Sequence, residues 1–150
     1  MAYTLQSTVN NLAIAEQEYA KEAFGVRFTK FTSCIGVVGQ SSKGLTGVHL
    51  VILSKDDQRI QEADIPQVAD LLKSSTRIVV FGHVGTWKSD DELAKVYDKL
   101  LLELKRLVGE KMLYEIDLND GIYGADTADG HLKIYQYNPT NESKRLIKMY

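Results

Sequence analysis

The sequence predicts an α/β (α+β) sandwich in which a central mixed or antiparallel sheet is flanked by about three helices. Helix-like and strand-like segments interleave along the 150 residues with short connections, which is typical of such sandwiches. The hydrophobic fraction of 44% is ordinary for a globular protein, and no change in composition marks an internal boundary. We therefore expect one globular domain that spans residues 1–150.

The chain is expected to begin with a helix and a strand. Residues 11–24 carry apolar side chains at helical spacing with glutamates between them, and Gly25 follows where a helix would stop. This pattern predicts an amphipathic helix. Residues 26–32 are rich in β-forming residue types and predict a strand.

A β-hairpin is expected next. Residues 34–38 and 48–53 are two apolar, β-branched runs, and a polar, glycine-bearing stretch at 40–44 joins them. The loop of this hairpin is expected to be centred on Ser41 and Ser42. Since both faces of both runs are apolar, the hairpin should be central and buried.

Two helices and a strand are expected in the middle of the chain. Asp64 and Pro66 supply an N-cap and an early-turn proline for a short helix, and residues 77–82 predict a buried strand. Ser89 and Glu92 have the spacing of a capping box at the start of the strongest helix. The apolar stripe of that helix comprises Leu93, Val96, Tyr97, Leu100, Leu101, Leu104 and Leu107.

Two more strands are expected in the last third of the chain. Gly109 is placed to end the strong helix. Strands are predicted at residues 111–118 and 131–137, linked by the turn-rich residues 119–130. His131 is therefore expected to begin a strand.

The charge and hydropathy patterns argue against two classes of function. Eighteen basic and twenty acidic residues are interspersed, whereas nucleic-acid binding needs clustered Lys and Arg. The nearest basic cluster, Lys144, Arg145 and Lys148, is interpreted as a solvated tail or helix face. The longest apolar runs fall far short of the roughly 20 residues that cross a bilayer, so we expect no membrane span.

The single cysteine and the first residues bear on the compartment. One cysteine cannot form an internal disulfide, and residues 1–7 lack the pattern of a secretory signal. We therefore expect cytoplasmic folding. An effector exported without a cleavable signal would carry the same features.

Cys34 and His49 are the candidate catalytic residues. A hairpin loop with an even number of residues would put both side chains on the same face, whereas an odd loop or a bulge would separate them. A four-residue loop at 40–43, or a two-residue Ser41-Ser42 loop, would place them directly opposite each other. An imidazole that faces a thiol would favour the thiolate, which is the nucleophile in cysteine hydrolases.

The surroundings of this pair allow two interpretations. Nearby glycines would leave room beside the sulfur for a substrate and for backbone amides that bind an oxyanion. Alternatively, both residues only pack the core, because a lone cysteine is among the most buried residue types. The glycines concerned are Gly36, Gly39, Gly44 and Gly47.

The stretch around Cys34 resembles the core motif of a known family. Residues 31–38 read FTSCIGVV, and a histidine follows fifteen residues after the cysteine within GVHLVIL at residues 47–53. This arrangement resembles the Cys-His core of the glutamine deamidases, a group that includes bacterial chemoreceptor deamidases and the cytotoxic necrotizing factor toxins. The family has an α/β sandwich fold, which agrees with the element order above.

The resemblance implies a reaction and its residues. Cys34 would correspond to the nucleophile and His49 to its base, and together they would convert a protein glutamine to glutamate through a thioester. An upstream threonine of several members falls on Phe28 here, so the adjacent Thr29 is the candidate third catalytic residue. The glycine that usually precedes Ser-Cys is replaced by Thr32. No cofactor is expected.

Three other patterns are less specific. Residues 39–46 have the glycine spacing of a phosphate-binding loop, but Leu45 replaces the essential lysine. The cysteine and the histidines are not paired at metal-ligand spacing, so no metal site is expected. His83 and Trp87, just after a buried strand, are candidates for lining a pocket, although a plain strand-to-helix turn accounts for the same pattern.

Two functions are therefore open. The first is a protein-glutamine deamidase-like cysteine hydrolase, a toxin-like effector that acts on a partner protein. The second is a non-catalytic protein-binding module of the adaptor or immunity type, in which Cys34 and His49 are core residues. Both hypotheses imply a protein partner, and neither fixes an oligomeric state.

Overall fold

The structure is a computed structural model that describes residues 3–150. The helices are α1 (Ile65–Leu71), α2 (Val84–Ser89) and α3 (Asp91–Val108), and short 3₁₀ turns occupy Glu62–Asp64 and Glu110–Met112. The strands are β1 (Gln6–Ser7), β2 (Glu18–Ala23), β3 (Gly25–Arg27), β4 (Ile35–Ser41), β5 (Gly44–Leu50), β6 (Arg77–Gly82), β7 (Leu113–Asp117), β8 (Ile122–Ala128), β9 (His131–Asn138) and β10 (Ser143–Met149).

The strands form two sheets. The larger has the order β1-β2-β5-β4-β6-β7, and the smaller has the order β10-β9-β8-β3. Pairing is antiparallel throughout the smaller sheet, whereas the larger sheet is mixed, because β1 with β2 and β6 with β7 pair in parallel. These two sheets and three helices make an α+β fold, which confirms the predicted class.

The larger sheet lies between the helices and the smaller sheet. A Cβ atom at Gly39 of β4 would lie 2.7 Å from Leu72, which directly follows α1, so this face of β4 is covered by helices. A Cβ atom at Gly36 would lie 2.9 Å from Phe28, which follows β3 of the smaller sheet. Because side chains alternate along a strand, the two faces of β4 meet different layers. The candidate site belongs to the face that meets the smaller sheet.

The predicted helix over residues 11–24 is wrong, because this segment contains turns followed by β2. Tyr19 and Ala20 pair with β5. Gln17 and Glu22 have φ angles of 70° and 54°, which an α-helix does not allow. The helical spacing of the apolar residues is therefore overridden by pairing with a buried hairpin. The strand predicted at 26–32 is shorter than expected and forms β3.

The predicted hairpin is confirmed as β4 and β5. Ser41 pairs with Gly44, so the loop consists of residues 42–43 and is shifted along the chain from its expected centre. β4 also pairs with β6 along its other edge, which makes the hairpin central as predicted. Its apolar residues are accordingly fully buried on both faces.

Most elements of the second half are confirmed, with one change in capping. The strands predicted at 77–82 and 131–137 correspond to β6 and β9, and Gly109 ends α3. The N-cap of α3 is Asp90, whose side chain accepts a hydrogen bond from Leu93 N, whereas Ser89 ends the unpredicted helix α2. The Ser89 hydroxyl instead donates to the Gly85 carbonyl.

Two strands of the second half occupy segments where the sequence predicted none. β8 lies within the supposedly turn-rich residues 119–130. Lys144, Arg145 and Lys148 belong to β10 rather than to a solvated tail or helix face, because Leu146 between them pairs with Tyr135 of β9. Within residues 3–150, no helix combines the length and the apolar character needed to cross a membrane.

Candidate active site

The register of the hairpin determines the relative position of Cys34 and His49. Gly36 is the Cα partner of His49, so the expected direct opposition of Cys34 and His49 is wrong. The loop at 42–43 still has an even number of residues, and it displaces the pairing by two positions. Two positions preserve the face, so Cys34 and His49 are diagonal neighbours on one side of the hairpin. Within residues 3–150, no hydrogen bond joins their side chains.

Cys34 lies immediately before β4 and is only 2% exposed. Its carbonyl oxygen accepts a 3.0 Å hydrogen bond from His83 N, which continues the pairing of β4 with β6 by one residue. The carbonyl of the preceding residue, Ser33, accepts a 2.9 Å hydrogen bond from the indole nitrogen of Trp87. The backbone around Cys34 is therefore anchored to the start of α2.

The hydrogen bonding of His49 defines its tautomer. Its Nδ1 atom lies 2.8 Å from the carbonyl oxygen of Ile14. Since a carbonyl only accepts, Nδ1 carries the proton, and Nε2 presents a lone pair. Nε2 is buried and has no hydrogen-bond partner in the described part of the chain. An oriented imidazole with a free Nε2 is the form that a general base requires.

The group that orients His49 is a backbone carbonyl. The same Ile14 oxygen also accepts a 3.0 Å hydrogen bond from the backbone N of Thr29. Thr29, the expected third catalytic residue, thus reaches this network through its main chain. Between residues 3 and 150, no hydrogen bond joins the Thr29 hydroxyl to Cys34 or His49.

Aromatic rings enclose His49. The ring of Phe31 lies 4.9 Å from the imidazole, and that of Phe28 lies 5.6 Å away in an edge-on orientation. The same two rings lie against Gly36, so the space that its missing side chain leaves is filled by protein. The expectation that the glycines leave room for a substrate is therefore wrong in this conformation, since Gly39, Gly44 and Gly47 also lie against neighbouring residues.

Burial sets the protonation states of the pair. It raises the pKa of Cys34 to about 12, with a smaller contribution from the Glu16 carboxylate, while the amides of Ser33 and Thr32 act in the opposite direction. Burial also lowers the pKa of His49 to about 4. Near pH 7 the thiol is therefore protonated and the imidazole is neutral.

His83 and Trp87 have different environments. His83 Nε2 lies 2.8 Å from Asp120 Oδ1, and His83 borders a groove of about 620 Å³ beyond the ends of β6 and β7. Trp87 is fully buried, and its indole nitrogen donates to the Ser33 carbonyl. Among residues 3–150, no cluster of three or more His, Cys, Asp or Glu side chains is arranged to hold a metal ion.

Comparisons with known proteins found no relative in sequence and a remote likeness in structure. No protein-family model matches the chain. No curated protein matches it in sequence. Among solved structures, the chain is similar to the C-terminal domain of CNFy from Yersinia pseudotuberculosis, with a TM-score of 0.33 and 6% identity. The similarity covers 89% of this chain and 53% of that one, so this chain spans about half the length of that structure.

Proposed function

We propose that this chain is a cysteine-dependent protein-glutamine amidohydrolase, with Cys34 as the nucleophile and His49 as its base. The observation that carries the proposal is the hydrogen bond from His49 Nδ1 to the Ile14 carbonyl. It leaves Nε2 unprotonated, buried and unpaired on the face that His49 shares with Cys34. Most buried polar atoms have a hydrogen-bond partner, so the unpaired Nε2 supports a role for His49 in proton transfer.

The proposed reaction has two steps. His49 Nε2 takes the thiol proton, the sulfur attacks the carboxamide carbon of a glutamine, and the carbon–nitrogen bond breaks as the proton passes to nitrogen. Ammonia leaves, and a thioester remains. Water then attacks the thioester carbon, its proton passes through His49 to the departing sulfur, and the products are glutamate and the free thiol.

The reaction requires the site to open. Cys34 is 2% exposed, and burial is the largest cause of its raised pKa. Hydration of the sulfur during opening removes that cause and brings the thiol proton within reach of His49. The closed conformation is therefore a resting state.

A specific observation favours a second candidate, a non-catalytic protein-binding module. The burial of Cys34 and its pKa of about 12 are those of an inert core thiol. In that case Cys34 and His49 contribute packing alone, and the protein partner binds elsewhere. The two candidates differ in the reactivity of the thiol and in ammonia release.

The test is release of ammonia from casein, used as a glutamine-rich protein, with conversion of glutamine to glutamate followed by mass spectrometry. We expect Cys34→Ala and His49→Ala to abolish release while circular dichroism shows the same fold. His83→Ala, which removes an imidazole that lies beside Asp120 at a surface groove, is the matched control and should retain activity. Equal activity in Cys34→Ala and the unmodified chain would refute the hydrolase and favour the binding module.

A further inference from the structure

β7 is the last strand of the larger sheet, and one of its edges is free. Along its other edge it pairs in parallel with β6. The N–H of Leu118, which directly follows β7, donates a 2.8 Å hydrogen bond to the Gly82 carbonyl of β6. The backbone groups of successive residues alternate between the two edges of a strand. Those of Ile116 therefore point towards β6, whereas those of Glu115 and Asp117 point away from it.

We call the free side of residues 113–117 the β7 edge. In the described part of the chain, the backbone N–H and carbonyl groups of Glu115 and Asp117 have no hydrogen-bond partner. The helices α2 and α3 cover a face of β7 rather than this edge. On that face, the Glu115 carboxylate accepts from the Tyr97 hydroxyl, and the Asp117 carboxylate accepts from Gly85 N. Unpaired backbone groups of an edge strand are a template for a further strand.

Of the four sheet edges within residues 3–150, the other three are short, covered or irregular. β1 has only two residues. The edge of β3 is covered, because Arg27 N donates to the Asn11 carbonyl and the Arg27 carbonyl accepts from Ile14 N. β10 carries three basic residues and a register shift. By contrast, β7 pairs with β6 in a continuous register and contains no lysine, arginine or proline, so its edge is the one best suited to strand addition.

The side chains of β7 define the kind of strand that fits. Glu115 and Asp117 lie on the helix side, where Lys88 is 3.0 Å from Glu115 Oε1 and Asp117 has no ion-pair partner among the described residues. Because side chains alternate, Tyr114 and Ile116 lie on the opposite side, where both are partly buried against the core. One face of the edge therefore carries two carboxylates and one ammonium, and the other face is apolar.

This charge pattern favours a basic partner over a second copy of the chain. Antiparallel pairing of β7 with itself over its full length would set the two Glu115 side chains directly opposite each other. Like charges in that position are destabilising, whereas opposite charges are favourable. A strand with basic side chains beside Glu115 and Asp117 complements the charge of this face.

We propose that the β7 edge binds an extended segment of a partner protein as an added antiparallel strand. The segment alternates basic side chains, which lie beside Glu115 and Asp117, with apolar side chains, which lie beside Tyr114 and Ile116. Antiparallel pairing is slightly more stable per residue than parallel pairing. In this direction, the residues opposite Glu115 and Asp117 exchange backbone hydrogen bonds with them. The proposal is independent of the chemistry at Cys34.

The test uses short peptides with blocked ends that alternate lysine and valine. In the proposed geometry, the lysine N–H groups face β7 and the valine N–H groups face away. One peptide is N-methylated at every valine, and the matched peptide is N-methylated at every lysine. Binding to the full chain is measured by fluorescence anisotropy at low ionic strength. The valine-methylated peptide should bind at least about tenfold more tightly, because lysine methylation removes the donors to the β7 carbonyls.

Amide hydrogen exchange locates the bound peptide on the chain. The valine-methylated peptide should slow the exchange of the Glu115 and Asp117 N–H groups at least about fivefold, because they gain acceptors. The N–H groups of Ile116 and Leu118 already face β6 and should change much less. This alternation distinguishes an added strand from a contact through side chains alone.

Two variants and one further peptide test the charge preference. Asp117→Asn keeps an oxygen that can accept the Gly85 N–H but removes the charge, so it should weaken binding about two- to fivefold. Asp70→Asn removes an exposed carboxylate from α1 and should leave binding unchanged. A valine-methylated peptide with glutamate in place of lysine should bind the unmodified chain at least about tenfold more weakly.

Three outcomes would overturn the proposal. Equal binding of the two methylated peptides, or unchanged exchange at Glu115 and Asp117, excludes the added strand. Equal binding of the lysine and glutamate peptides excludes a basic partner. A dimer of the chain in sedimentation equilibrium, with these two N–H groups already protected and exposed again on dilution, identifies a second copy as the occupant.

Discussion

The indole nitrogen of Trp87 lies 2.9 Å from the carbonyl oxygen of Ser33, the residue directly before Cys34. Trp87 is fully buried, so no water can replace this acceptor. Together with the bond from His83 N to the Cys34 carbonyl, it ties the backbone around the thiol to α2. Through these two hydrogen bonds, the segment after β6 fixes the backbone of Ser33 and Cys34.

Trp87→Phe should loosen this anchor. The Ser33 carbonyl loses its partner, so we expect a loss of about 1–3 kcal/mol in the free energy of unfolding, measured by urea denaturation. Local opening around Cys34 should become more frequent, so alkylation of the thiol should be faster. Tyr97→Phe is the control: it removes the hydrogen bond to Glu115, which should lower stability without changing the alkylation rate. Equal alkylation rates in Trp87→Phe and the unmodified chain would contradict the anchoring role.

Glu16→Gln should make Cys34 more acidic. The Glu16 carboxylate is the second cause, after burial, of the raised pKa of Cys34. Removing this charge stabilises the thiolate, and because Glu16 is exposed the effect should be modest, with alkylation about two- to fivefold faster at a fixed pH below 9. The pH dependence of the alkylation rate measures it. As the control, Glu110→Gln removes a carboxylate that lies just after α3 and should not alter the pH dependence of the alkylation rate. Slower alkylation of Cys34 in Glu16→Gln would exclude the electrostatic interaction.

His49 should make stability depend on pH in the acid range. Burial lowers its pKa from the ordinary 6.5 to about 4, so the unfolded chain binds a proton more readily than the folded chain. The stabilisation is complete above pH 6.5, is lost as the pH falls towards 4, and amounts to about 3 kcal/mol. Urea unfolding of the unmodified chain should show this loss, and His49→Gln, which cannot titrate, should lack it. Parallel stability profiles for the two chains would be inconsistent with a buried neutral imidazole.

Much of the larger sheet could be predicted from the sequence, because its strands are strongly apolar. The hairpin of β4 and β5, β6, and the stripe of α3 are visible in the pattern of buried residues. The sequence does not predict β2, because its alanines and glutamates favour a helix. Only pairing with β5 makes this segment a strand. The sequence does not predict β8 either, because its segment contains glycine and aspartate, which are typical of turns.

The candidate site was predicted only in part, for a related reason. Parity along the hairpin places Cys34 and His49 on one face for any even loop, so this relation does not depend on where the loop begins. The choice of loop residues does determine which residues pair across the hairpin. A shift of two positions in this register makes Cys34 and His49 diagonal neighbours. The Ile14 carbonyl that orients His49 is a backbone atom, which carries no sequence signature.

β10 forms one edge of the smaller sheet, and among residues 3–150 no further strand pairs with its outer side. Lys144, Arg145 and Lys148 lie along it, and the register shifts between Leu146 and Lys148. Repeated positive charge and an irregular register both oppose the docking of a strand from another molecule. We therefore expect the basic residues of this strand to disfavour pairing of β10 with a strand of another molecule.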